Sequence, residues 1–124
     1  MVPLRIEATI DTPGVLFDRN AGVFEISGKS YPEDTREFYG ELLAWIDLYV
    51  AEPNPHTLFV FKLKYFNSSS YKPVFDLISK LDTLPEKNKT VAVQWYNKNG
   101  DTDMQEAGEE FADLVSIPFT YHAF

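Results

Sequence analysis

The chain has 124 residues, of which 44% are hydrophobic and 15% aromatic, so it has enough apolar surface to fold as one domain over residues 1–124. Its formal net charge of -8 disfavours binding to nucleic acid or to anionic membranes, because phosphate contacts need cations and only 11 are present. Without cysteine it has no disulfide, thiolate metal site or cysteine nucleophile.

The N-terminal quarter has the pattern of a strand meander or hairpin and not of a secretory signal, so a cytoplasmic protein is expected. A half-buried first strand is predicted by the alternation of polar residues with the apolar residues Leu4, Ile6, Ala8 and Ile10. Two short strands are predicted next, at Val15–Asp18 and Val23–Ser27, with a turn between them.

Three helices are predicted by apolar residues at helical spacing. Ser30 and Glu33 have the spacing of a capping box, which places the start of the first helix at Ser30. The stripes that follow are Phe38, Leu42, Trp45, Ile46 and Tyr49; then Val74, Leu77, Ile78 and Leu81; then Met104, Ala107, Phe111 and Leu114.

Strands are predicted between these helices, at Thr57–Phe66 and Thr90–Tyr96, and Ile117–Phe124 is expected to be a last strand or an extended tail. Thr57–Phe66 has few polar breaks, as expected for a central strand covered on both faces. The order of elements predicts an α/β fold in which helical crossovers make neighbouring strands parallel.

The segment Asn67–Ser70 is the most informative candidate site, because it follows a buried strand at the edge of the sheet where functional sites collect. Three consecutive serines are more than one helix cap requires, although one cap with two loop residues remains a sufficient explanation. A phosphate here would interact favourably with the positive end of the dipole of the following helix. Its negative charge would change the binding of a partner at this surface.

Other kinds of chemistry find less support. Ser68 lacks a G-x-S-x-G context, His56 is expected at the far end of the preceding strand, and no phosphate-binding glycine loop or zinc-ligand spacing occurs. The acidic residues around the third helix are expected to cap it and solvate it. Gly40 and Gly108 are expected to pack closely against the sheet, with close approach of a partner as the alternative.

With these residues in view, the chain resembles the SiaC family of small bacterial regulatory phosphoproteins. The similarity covers nearly the whole length, and the segments that carry it are Thr12-Pro13, Phe17-Asp18, Gly28 to Glu33, Phe38-Tyr39, Trp45, Tyr65 to Ser70, Val93 to Tyr96, Gly108 to Phe111 and Pro118-Phe119. The resemblance implies a STAS-like mixed sheet, similar to the anti-sigma-factor antagonists, with three helices packed on it and a phosphorylatable hydroxyl at the start of the second helix.

The phosphoacceptor that the resemblance implies is Ser68, where the best-known member of the family has threonine. It also implies three partners: a serine/threonine kinase, a PP2C-type phosphatase, and a diguanylate cyclase that the unphosphorylated form activates in cyclic di-GMP and biofilm signalling. No cofactor or metal is implied. The leading hypothesis is therefore a non-enzymatic switch in which Asn67, Ser69, Ser70, Tyr71 and Lys72 surround Ser68 on the partner-binding face.

Two other hypotheses stay open at this point. The runner-up is a small-molecule-binding or minor enzymatic domain that uses the acidic third helix and His122, and it predicts a deep pocket at those residues. The third is an obligate homodimer assembled through surface aromatic residues, for which Tyr31, Tyr39 and Tyr71 are the candidates.

Overall fold

The computed structural model describes residues 1–124 and contains six strands and three α-helices. The strands are β1 (Leu4–Ile6), β2 (Gly14–Asp18), β3 (Val23–Ser30), β4 (His56–Phe66), β5 (Thr90–Asn97) and β6 (Phe119–Ala123). The helices are α1 (Thr35–Ala51), α2 (Ser68–Leu81) and α3 (Thr102–Asp113), and a short 3₁₀ helix, Leu84–Lys87, leads from α2 into β5.

The six strands form one sheet in the order β1-β2-β3-β4-β5-β6. The pairs β1–β2 and β2–β3 are antiparallel, because short connections join these strands. The pairs β3–β4, β4–β5 and β5–β6 are parallel, because a helix crosses over between the two strands of each pair. The predicted mixed α/β architecture, with an N-terminal meander and three helices, is confirmed.

All three helices pack on one face of the sheet, since their buried residues form a single cluster with the inward side chains of the strands. Along β4, buried residues alternate with half-buried ones, so the expectation of a strand covered on both faces is wrong. On the uncovered face, Lys62 pairs with Glu25 and lies 5.0 Å from the ring centre of Tyr96. This face of the sheet is therefore covered only by its own half-buried side chains and not by helices.

The N-terminal strand is shorter than its alternating pattern predicts. It ends at Ile6, and Ile10 is 82% exposed. The hydroxyl of Thr9 accepts the Thr12 N–H at 2.9 Å and contacts the Asp11 carboxylate. These side-chain hydrogen bonds hold residues 9–12 in a turn, so the strand does not continue to Ile10 as the alternation predicted.

The predicted capping box at Ser30 is also wrong. Ser30 is the last residue of β3, where it pairs with Phe66 of β4, and its side chain is buried. Helix α1 begins later, at Thr35, and the side chain of Asp34 caps it by accepting the Glu37 N–H at 3.0 Å. A hydroxyl that the sequence pattern assigns to a helix end therefore lies in the core.

A β-bulge near the end of β4 reverses which side chains face the core. The pairing with β3 shifts between Gly28 and Lys29, and Gly28 has a φ of 100°, a conformation that glycine adopts without strain. Beyond the shift, Tyr65 is exposed while Phe66 packs against the core. The bulge thus sets the direction in which the chain leaves the sheet at Asn67.

The two helical glycines have different environments. A Cβ on Gly108 would lie 2.6 Å from the indole of Trp95, which is fully buried and donates a hydrogen bond from Nε1 to the Met104 carbonyl at 2.9 Å. A Cβ on Gly40 would have nothing within 4 Å. Close packing explains Gly108, as expected, but it does not explain Gly40.

Substitution of the two glycines by alanine should therefore change stability in opposite directions. Gly108→Ala should lower the free energy of unfolding by about 1–3 kcal/mol, because the buried indole cannot move away from the added methyl group. Gly40→Ala should raise it by up to about 1 kcal/mol through helix propensity alone. Urea unfolding of both variants measures the difference, and a shift of the same sign in both would contradict this account.

Candidate functional site

The N-termini of all three helices lie at one edge of the sheet, because the parallel strands β3, β4 and β5 end there and each leads into a helix. Each helix has an Asp or Asn as its N-cap, and in each case the side chain accepts the backbone N–H three residues later. The three caps are Asp34, Asn67 and Asp101. The predicted site segment 67–70 lies in the middle of this edge.

Asn67 organises the turn between β4 and α2. Its Oδ1 accepts three hydrogen bonds: from the Ser70 N–H at 3.1 Å, from the Ser70 hydroxyl at 2.8 Å and from the Ser69 hydroxyl at 3.0 Å. Its own N–H donates to the carbonyl of Ser30 at 2.9 Å. One amide side chain thus fixes two of the three serines and the first turn of the helix.

The three serines point in three directions, as successive residues of a helix must. Ser70 is fully buried, and Ser69 is exposed but shares a hydrogen bond of 2.9 Å with Thr35 on α1. Ser68, the first residue of α2, is exposed, and its hydroxyl makes no hydrogen bond within the chain. Of the three hydroxyls, that of Ser68 is the one both accessible and unbound.

The burial of Ser70 corrects its predicted place on the partner-binding face. Its hydroxyl lies 3.0 Å from the hydroxyl of Ser30 and 3.2 Å from the Ser30 carbonyl. Ser70 therefore supports the turn from inside, and a docked partner cannot contact it.

A buried hydroxyl cluster formed by Ser30, Tyr39 and Ser70 underlies the turn. The hydroxyls of Ser30 and Tyr39 share a hydrogen bond of 2.5 Å, so this cluster connects β3, α1 and α2. Burial raises the pKa of Tyr39, and the hydrogen bonds with Ser30 and Ser70 offset that effect only in part. Tyr39 is 1% exposed, so it cannot belong to the aromatic dimer surface that the sequence suggested.

Ser68 lies in a cleft of about 420 Å³ between the start of α2 and the start of α3. The apolar part of its lining is Tyr65, Phe66, Tyr71, Met104 and Ala107. Two carboxylates, Asp101 and Asp103, line the same cleft. The acceptor candidate therefore borders both an apolar surface and a pair of negative charges.

Tyr71 lines this cleft, whereas Lys72 lines a separate depression between α1 and α2. The Tyr71 hydroxyl donates to Glu110 on α3 at 2.8 Å, and its ring packs against Phe111 with ring centres 4.6 Å apart. Burial and then the Glu110 carboxylate raise the pKa of Tyr71. Lys72 is exposed and forms an ion pair of 2.9 Å with Asp76, one turn further along α2.

The runner-up arrangement does not assemble. His122 lies on β6, where its ring stacks on Tyr96 with centres 4.9 Å apart and its Nε2 contacts the Thr120 hydroxyl. The shallow depression beside it, about 220 Å³, contains no carboxylate. The acidic residues of α3 that line a cleft, Asp101 and Asp103, lie with Ser68 and not with His122. His56 likewise lies at the start of β4, the end opposite Ser68.

Sequence reasoning missed Ser30 and Tyr39 as parts of the site. The sequence pattern predicts a helix cap at Ser30 and a surface position for Tyr39. In the structure the hydroxyl of Ser30 contacts those of Tyr39 and of Ser70, which is 40 positions further along the chain. No local spacing could have revealed this contact, because it depends on the register between β3 and β4.

None of the helices combines the length and hydropathy needed to cross a membrane.

Known proteins resemble this chain over its full length. An uncharacterised protein of Pseudomonas aeruginosa (strain UCBPP-PA14) is 29% identical over 123 residues, which are 99% of this chain and 98% of that protein. The crystal structure of apo-SiaC from Pseudomonas aeruginosa superposes with a TM-score of 0.90 at 29% identity, covering 99% of this chain and 100% of that chain.

A second similar structure is the SiaC of Pseudomonas aeruginosa in complex with the diguanylate cyclase SiaD, of which it is the activator. It has a TM-score of 0.90 at 29% identity and covers 98% of this chain and 99% of that one. The family model described as "SiaC family regulatory phosphoprotein" matches residues 6–124. The chain, with its mixed sheet and its serine turn at the start of α2, therefore belongs to the SiaC family of regulatory phosphoproteins.

Proposed function

We propose that this protein is a phosphorylation-switched binding regulator in which Ser68 is the phosphoacceptor and the unphosphorylated form binds and activates a diguanylate cyclase. The observation that carries the proposal is the free, exposed hydroxyl of Ser68 beside two bonded serines at a helix N-terminus. The class of partner is supported by the similar SiaC of Pseudomonas aeruginosa, which activates the diguanylate cyclase SiaD.

A reversible switch also needs enzymes that add and remove the phosphate. In this proposal a serine/threonine kinase phosphorylates Ser68 and a PP2C-type phosphatase restores the hydroxyl. The protein itself catalyses no reaction and acts by binding. It works in the cytoplasm, where ATP for the kinase and GTP for the cyclase are available.

A phosphate on Ser68 changes the cleft more than it changes the fold. The phosphate adds a charge of about -1.5 to -2 at the N-terminus of α2, where the positive end of the helix dipole interacts favourably with it. The same phosphate shares its cleft with Asp101 and Asp103, so this surface becomes strongly negative and loses volume. A partner that inserts an apolar side chain between the start of α2 and the start of α3 is then excluded by charge and bulk.

Exposed and half-buried residues around Ser68 form the rest of the proposed contact surface. Asn67 and Ser69 hold the shape of the turn, and Tyr71 and Lys72 border it on α2. Tyr65, which is 51% exposed after the bulge in β4, adds an aromatic ring to the same rim. Tyrosine is among the residues that most often dominate binding energy once a partner covers them.

Phosphoserine incorporated at position 68 should weaken binding to the diguanylate cyclase at least about a hundredfold, because a desolvated apolar contact cannot accept a phosphate. Ser68→Ala should bind as the unmodified protein does. Titration calorimetry with the purified cyclase and its product formation measure both effects. Asn20→Asp is the control for negative charge added elsewhere, since Asn20 is an exposed turn residue at the opposite end of the sheet.

Equal cyclase binding by the phosphoserine and alanine proteins would contradict the switch. Loss of binding in the Asn20→Asp control as well would show that the protein's overall charge, and not the acceptor site, controls the interaction.

In cells, the phosphate should be found on Ser68 and not on Ser69 or Ser70, because the hydroxyls of the latter two are engaged in hydrogen bonds and Ser70 is buried. Intact-mass measurement and fragment mapping of the protein isolated from its own cells locate the modification. Treatment with a PP2C-type phosphatase should remove it. A phosphate confined to Ser69 would refute the assignment of Ser68.

A further inference from the structure

The turn between β5 and α3 contains the sequence Asn99-Gly100, and both residues are exposed. A backbone hydrogen bond of 2.9 Å closes the turn, from the Asp101 N–H to the Lys98 carbonyl. Gly100 has a φ of 88°, in the left-handed region that glycine adopts without strain. Because the turn links the end of β5 to the start of α3, it lies at the same edge of the sheet as the serine turn.

Asn99 differs from the other asparagines of the chain in its surroundings and in the residue that follows it. The side chains of three asparagines make hydrogen bonds within the chain, namely Asn54, Asn67 and Asn97. The remaining three are exposed and their side chains make no such bond, namely Asn20, Asn88 and Asn99. Of these, Asn99 is the one that precedes a glycine. Asn20 and Asn88 are therefore internal standards for its reactivity.

The backbone nitrogen of Gly100 is the group that makes this sequence reactive. Its N–H makes no hydrogen bond, and glycine has no side chain to shield it. Asparagine is a thermolabile residue, because the next backbone nitrogen can attack its side-chain Cγ. The new N–Cγ bond closes a succinimide ring while the Cγ–Nδ2 bond breaks, and Nδ2 leaves as ammonia with the proton of the backbone nitrogen.

Water then opens the ring at one of its two carbonyl carbons. Opening at Cγ gives aspartate, in which the backbone is unchanged. Opening at the main-chain carbonyl carbon gives isoaspartate, in which the chain runs through Cβ and Cγ and is one carbon longer. Both products carry a new carboxylate, so each step balances with one water consumed and one ammonia released.

We propose that Asn99 is a site of spontaneous modification, at which deamidation places isoaspartate in the turn before α3 and displaces the cap of that helix. The chemistry needs no enzyme and no partner, so this inference is independent of the proposed switch. The longer backbone lies between Lys98 and Asp101, and it separates the carbonyl and the N–H that close the turn.

The start of α3 depends on the position of Asp101. The carboxylate of Asp101 accepts the Met104 N–H at 3.1 Å, and the Met104 carbonyl accepts the indole N–H of Trp95 at 2.9 Å. Asp101 and Met104 also line the cleft that contains Ser68. The added negative charge is itself favourable at a helix N-terminus, so the change of backbone is the disruptive part of the modification. Isoaspartate at position 99 thus alters the wall of the cleft opposite Ser68.

Incubation of the purified full chain at mildly alkaline pH should modify Asn99 at least about tenfold faster than Asn20 or Asn88, since glycine leaves the attacking nitrogen open. Peptide mapping should show a mass gain of about 1 Da, and a protein isoaspartyl methyltransferase should label the same peptide. The rate should rise with pH, because the attacking nitrogen must lose its proton. Asn99→Gln should remove the labelling.

Equal rates at the three exposed asparagines would overturn the assignment of Asn99. A mass gain without methyltransferase labelling would show that the ring opens to aspartate alone, which overturns the isoaspartate step.

Hydrogen exchange tests the effect of the modification on α3. In the fraction that carries isoaspartate, the amide protons of Asp101 and Met104 should exchange at least about tenfold faster than in fresh wild-type protein, because the turn and the cap open. Freshly purified Asn99→Asp is the matched control, since it has the same added charge on an ordinary backbone, and it should keep its protection. Unchanged exchange in the isoaspartate fraction, or equal loss in Asn99→Asp, would overturn the proposed effect on the cap.

Discussion

Ser30 joins the end of β3 to the start of α2, and the geometry of the serine turn depends on that connection. Its carbonyl accepts a hydrogen bond from the Asn67 N–H and lies 3.2 Å from the Ser70 hydroxyl, while its own hydroxyl shares a hydrogen bond with Tyr39 of α1. With Asn67 held in this way, its Oδ1 fixes Ser69 and Ser70. Ser68 is then the residue left with a free hydroxyl, and it is directed away from the buried cluster into the cleft beside α3.

Most of the fold could be predicted from the sequence, because its elements arise from local periodicity. The stripe of α2 is buried as the spacing predicts, and β2 and β5 agree with their predicted bounds to within one residue. The errors occurred where a side chain took a partner distant in sequence or a nearby polar group. Ser30 pairs across the sheet instead of capping a helix, and Thr9 bends the chain where alternation predicted a strand.

The candidate site was only partly predictable, and the three serines show why. Composition and position predict a site at residues 68–70, but they cannot distinguish three consecutive serines. The three differ only in the direction in which their side chains leave the helix. Their roles depend on what lies around them: Thr35 on one side, the buried cluster beneath, and the acidic start of α3 on the other side. Helix position together with neighbours 34 to 40 residues away separates the free hydroxyl of Ser68 from the two that are hydrogen-bonded.

The hydrogen bonds that shape the serine turn close large loops of the chain. Those between Ser30 and Ser70 span 40 residues, and they form only after β3 and β4 have paired in register. Closing loops of this length is entropically unfavourable until the tertiary contacts are complete. A kinase that recognises the shape of this turn would therefore pass over chains still emerging from the ribosome, and every phosphorylated molecule would already be a fully folded one.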